Sequence, residues 1–171
     1  THPEALFEIL SKFKDFQGNH PIVTANFIMN NPDFDAIKKG DFQQYHFECF
    51  QKTYQSYPGS EKAWEVLQQG IQQKLIHPQF HGAEHLNVVR WIDLLKKNDT
   101  RFKQAFELHC YSIDDDNDQN RRANLMAAYD YDTQEEEEYI LNSIKKGLIQ
   151  FENTFGFKSK TTIAPCYVWN E

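Results

Sequence analysis

The chain has 171 residues, a formal net charge of -7, and 40% hydrophobic against 25% charged residues, which suits one globular domain with a sizeable core. Its Lys and Arg residues are scattered among acids, so there is no basic face to displace counterions from phosphates, and nucleic acid and anionic membrane are poor partners. No apolar run is long enough to span a bilayer and no signal-peptide pattern is visible, which leaves the compartment unknown.

Thr1-His2-Pro3-Glu4 reads as a capping box that opens a helix. Leu6, Ile9, Leu10, Phe13 and Phe16 recur at helical spacing up to a stop at Gly18. Residues 21–29 (PIVTANFIM) read as a largely buried strand, Asn30-Asn31-Pro32 as a turn, and residues 33–39 as a short helix closed by Gly40. Residues 45–50 (YHFECF) read as a short strand or an active-site loop. Residues 60–74 form a helix with Ala63, Trp64, Leu67 and Ile71 on one face, and residues 75–80 (LIHPQF) a short strand. Residues 83–97 carry Leu86, Val89, Ile92 and Leu95 at helical spacing, and a further helix covers residues 100–108. Residues 114–122 (DDDNDQNRR) are a polar surface loop, and residues 125–131 (LMAAYDY) a strand. Thr133 with Glu136 is a second capping box, starting a long helix that Gly156 stops. Residues 161–167 (TTIAPCY) are a last strand.

Strands and helices mostly alternate, which predicts an α/β fold: a parallel sheet or barrel with helices outside. In such folds chemistry collects at the C-terminal strand ends. Those ends carry Thr24 to Asn26, His77 with His81, Asp130 with Asp132, and Pro165 with Tyr167 and Trp169. Cys49, Cys110 and Cys166 are far apart and odd in number, and read as reduced core thiols.

The densest chemistry is in His77-Pro78-Gln79-Phe80-His81-Gly82-Ala83-Glu84-His85. Neutral imidazole is the commonest metal ligand, and two of them a few residues apart can converge on one ion. Pro78 rules out a regular helix there and Gly82 permits a tight turn. His77 and His81 are therefore expected as ligands for a divalent metal, most plausibly zinc. His85 is a third ligand or a catalytic partner, and Glu84 a candidate base.

This segment resembles the H-x-x-x-H metal motif of the NodB-homology polysaccharide deacetylases, more narrowly the polysaccharide (de)acetylase-like proteins with an HPQFHG-x-EH signature. Ile163-Ala164-Pro165-Cys166-Tyr167-Val168-Trp169 is similar to that group's later strand-end motif, and Thr24-Ala25-Asn26-Phe27 has a counterpart there. The resemblance implies a distorted (β/α) barrel and metal-dependent deacetylation of a carbohydrate. In it His77 and His81 match the two histidine ligands, and Asn26, Pro165, Tyr167 and Trp169 line the substrate. The family's two Asp residues, one a ligand and one the base, have no match after Thr1, and Ile163 stands where an Arg is common. The expectation is a piece of a larger barrel that hydrolyses weakly or not at all by itself.

Two other readings stay open. His81-Gly82-Ala83-Glu84-His85 spells the H-x-x-E-H zinc peptidase motif, which needs one helix through all five residues. A non-catalytic carbohydrate-binding relative would also account for the missing acids.

Overall fold

The computed structural model describes residues 2–111, 113 and 124–170. Helix α1 spans His2–Ser11 and is followed by strand β1, Val23–Ile28, and strand β2, Asn30–Pro32. Next come α2 (Phe34–Lys39), β3 (Phe47–Cys49), α3 (Phe50–Ser56) and α4 (Ala63–Gln72). Strand β4 is Ile76–Gly82, and helices α5 (Val88–Lys96), α6 (Thr100–Glu107) and α7 (Gln134–Phe155) complete the order, with a 3-10 turn at Pro165–Tyr167. The loop expected at residues 114–122 lies outside the described residues, as does Thr1 of the first capping box.

Strand β4 pairs with β1 in parallel, with Val23 opposite Ile76 and Phe27 opposite Phe80. Its burial alternates: Ile76, Pro78, Phe80 and Gly82 are buried, while His77, Gln79 and His81 face outward, as the two-residue period of a strand requires. Phe27 and Phe80 pack against Phe151 of α7. Helix α7 comes close because it has Gly147 at the crossing, where a Cβ would lie 2.9 Å from the Ala83 Cβ and 3.0 Å from the Phe80 ring. A second core joins Ile37 of α2, Trp91 and Leu95 of α5, and Phe102 and Phe106 of α6. Among the described residues the strands pair two by two and no barrel is closed. The part of the expected architecture that is present is the β1–β4 parallel pair with helices packed on its buried face.

Several elements differ from the sequence reading. Helix α1 ends at Ser11, before Phe13 and Phe16, which are 61% and 94% exposed. Asp15 ends the helical course by accepting the backbone N–H groups of Gln17 and Asn19, a side-chain turn that competes with helix. Asn30–Pro32 is not a turn but β2, antiparallel to β3. Helix α3 had no expected counterpart. Residues 125–131 make consecutive turns instead of a strand, because the Leu125 carbonyl accepts the Asn87 N–H and the Asp130 carbonyl accepts the Asn87 side-chain amide. Residues 161–167 make one bridge, Thr162 to Phe80, before the 3-10 turn. The cysteines are unbridged, yet Cys49 is exposed and Cys110 and Cys166 half-buried, so none is a core thiol. The second capping box forms as expected, with Gly156 in the left-handed conformation at the far end of α7.

The Gly147 crossing yields a stability test. Gly147→Val, which brings two methyl groups against Phe80 without the helix-propensity gain that Ala would bring, is expected to lower stability by about 1–3 kcal/mol. Urea unfolding checks it, and an unchanged midpoint would show that α7 does not rest on β4 at this point.

Candidate functional site

The end of β4 is where the local backbone matters most. Gly82 has φ +146, and a Cβ there would meet the Glu84 carbonyl oxygen at 2.9 Å and the Tyr129 hydroxyl at 3.2 Å. Only glycine turns the chain so tightly. Residues 83–87 then run as an irregular bend, and α5 starts at Val88, capped by Asn87, whose side chain accepts the Arg90 N–H. The helix expected from residue 83 therefore begins five residues later, and the single helix that H-x-x-E-H chemistry needs is not formed.

This turn brings His81 and His85 together. Their ring centroids are 5.1 Å apart, tilted at 64°. Nδ1 of His81 lies 2.6 Å from the Ile163 carbonyl oxygen. A carbonyl only accepts, so Nδ1 carries the proton and Nε2 of a neutral ring keeps its lone pair. Such a carbonyl contact is how proteins orient a metal-binding imidazole. His85 is half-buried, and its Nδ1 is buried without a hydrogen-bond partner. Burial, helped by the neighbouring His81, holds the His85 ring below the ordinary imidazole range, which favours the neutral form that binds metal.

His77 is held elsewhere. It is exposed and its ring stacks on Phe157 at 5.5 Å. Four residues of extended strand separate it from His81, about 13 Å of rise. The H-x-x-x-H spacing occurs at 77–81 and again at 81–85, and the structure brings together only the second pair. Among the described residues no three His, Cys, Asp or Glu side chains converge as a complete cation site, so two imidazoles are what this turn offers.

The other expected site residues divide. Pro165 is buried and starts the 3-10 turn beyond Ile163. Tyr167 is 84% and Trp169 57% exposed, and Trp169 also packs on Tyr129 at 5.3 Å. The chain segment that fixes His81 thus presents two accessible aromatic rings. The backbone N–H of Tyr167 is spent on the Ala164 carbonyl and is not free to stabilise an oxyanion. Asn26 belongs to the outer face of the sheet, where its side chain accepts from Gln79, which in turn accepts from Thr161. Asp130 and Asp132, at the expected strand end, together with Glu136 clasp Arg90 at 2.6, 3.0 and 3.3 Å and have a tethering role.

Glu84 turns away from solvent. It is 6% exposed, accepts from the Ser143 hydroxyl at 2.7 Å, and has Asn30 Nδ2 at 3.5 Å. Burial raises its carboxyl above the ordinary value, against the opposing pull of Ser143, Asn30 and Lys146. Asn30, Tyr129, Ser143 and the Ile163 carbonyl had no signal in the sequence, since each meets its partner only through the fold.

A carboxyl raised by folding binds its proton more tightly folded than unfolded. Its charge therefore costs nothing below the ordinary carboxylate range and destabilises increasingly as pH rises through that range toward the folded value. Glu84→Gln keeps the shape without the charge: its oxygen still accepts from Asn30, and its NH2 donates to the Ser143 hydroxyl oxygen. The variant is expected to melt above the parent near neutral pH, with the two Tm values converging in acid. Equal Tm values at every pH would show that Glu84 is not desolvated.

Compared with known protein families, curated proteins and solved structures, the chain has no match to a family model, to a protein or to a structure.

Proposed function

We propose that this chain contributes the histidine half of a metal centre in a hydrolase acting on acetylated carbohydrate. The reading rests on one observation above all: His81 is held by the Ile163 carbonyl with His85 5.1 Å away. His81 would bind through Nε2, and His85 through a ring nitrogen that burial keeps unprotonated. Zinc held there would supply a water of lowered pKa and a Lewis acid for an acyl carbonyl. The protein's own part is to fix the His81 tautomer, keep His85 neutral, and offer Tyr167 and Trp169 as surfaces on which a sugar ring stacks. No helix among the described residues is long and apolar enough to cross a membrane. Glu84, bonded to Ser143, serves a different side of the loop and is not proposed as the base.

A second reading, a non-catalytic carbohydrate binder, is favoured by the absence of a third converging ligand among the described residues. Titration calorimetry with zinc chloride separates the two. Under the metal reading, His81→Ala and His85→Ala each weaken zinc binding tenfold or more, on the order expected when a metal ligand or its orienting partner is lost, and His77→Ala leaves it unchanged. Zinc affinity that ignores both substitutions, or that falls in His77→Ala, refutes the pairing. No zinc uptake together with sugar binding lost in Trp169→Ala supports the second reading.

A further inference from the structure

Beyond the Gly82 turn, Asn30 of β2, the 44–47 segment, Ala83, Glu84 and α7 line an open cavity of about 970 Å³, within the range of small-ligand sites. We infer that this cavity is a binding site for an uncharged, hydroxyl-rich ligand of one or two rings. His81, His85, Tyr167 and Trp169 are not among its lining residues, so the inference does not depend on the metal reading.

The lining defines the ligand chemistry. Asn30 and Gln150 exchange hydrogen bonds at 2.9 and 3.1 Å, which locks both amides and leaves Gln150 one N–H and one lone pair to offer. Glu84 has a firm partner in Ser143 on one oxygen and only a long contact, 3.5 Å from Asn30, on the other. Tyr45 also lines the cavity; its hydroxyl is buried and does not open into it. A ligand hydroxyl donates and accepts at once, so one such group can answer the carboxyl oxygen or the amide.

Charge argues against an ionic ligand. The charged residues lining the cavity are Glu84 and Lys146, one of each sign. An anion would meet the Glu84 carboxyl, and a cation would compete with Lys146, whereas a neutral polyol disturbs neither. Phe47, 50% exposed, also lines the cavity and offers a ring for the apolar face of a sugar.

The test is a ¹H–¹⁵N titration of the whole chain with methyl glucoside, N-acetylglucosamine and myo-inositol, alongside choline and acetate. The expected result is saturable shifts at the Asn30, Tyr45, Ser143 and Gln150 amides with at least one hydroxylated probe. Those shifts persist in EDTA, and binding weakens about two- to tenfold in Gln150→Ala, whose fold the same spectra verify. Saturable shifts at these amides with choline or acetate alone, or none with any hydroxylated probe, would overturn the inference. Shifts abolished by EDTA would place the ligand at the imidazole pair and overturn it equally.

Discussion

Everything around the candidate site depends on how β4 is trapped. Its buried face is gripped along its length: Ile76 packs with Phe7 of α1 and Val66 of α4, and Phe80 with Phe151 of α7, where the crossing at Gly147 leaves no slack. A strand gripped on one face must present alternate residues on the other, because a one-residue slip would turn the whole buried set outward. His77, Gln79 and His81 are therefore on the outer face by necessity. The strand can end in a usable turn only because Gly82 accepts a backbone that a side chain would block. That turn sends His85 back toward His81 and drives Glu84 the opposite way, into the contact with Ser143.

The surroundings of this turn are tied down electrostatically. Arg90, with 11% of its side chain exposed, meets three carboxylates from the 130–136 segment. A largely desolvated arrangement of this kind fixes geometry more dependably than it adds stability. Its effect is to hold the start of α7 against α5 and so keep Tyr129 beneath Trp169. On the far side, the Asn30–Gln150 amide pair joins β2 to α7. The two clamps stand on either side of the Gly82 turn, so the imidazole pair and the polar cavity share one rigid support while keeping separate linings.

Much of the fold was legible where local chemistry is strong. Thr133 and Glu136 cap α7 and Gly156 ends it; Asp33 and Gly40 bound α2; the apolar spacing in residues 83–97 gave α5, apart from its start. Reading failed where the backbone finds its hydrogen bonds far away in sequence. Residues 125–131 look like a strand by apolar content, but their carbonyls are claimed by Asn87. Asn30–Pro32 carries turn-forming residues, yet pairs with β3. Phe13 and Phe16 fit a helical period that the Asp15 turn interrupts.

By itself the sequence determined that side chains of metal-ligand type cluster between His77 and His85, where a proline and a glycine also force a change of backbone direction. Only the tertiary structure decided which histidines form the pair. Extended geometry separates His77 from His81 by about 13 Å, while the Gly82 turn and a carbonyl 82 residues along the chain, that of Ile163, bring His81 against His85 and fix its proton. Spacing along a chain reports distance only once the backbone conformation is known, and here that conformation is set by the packing of β4 and by partners distant in sequence.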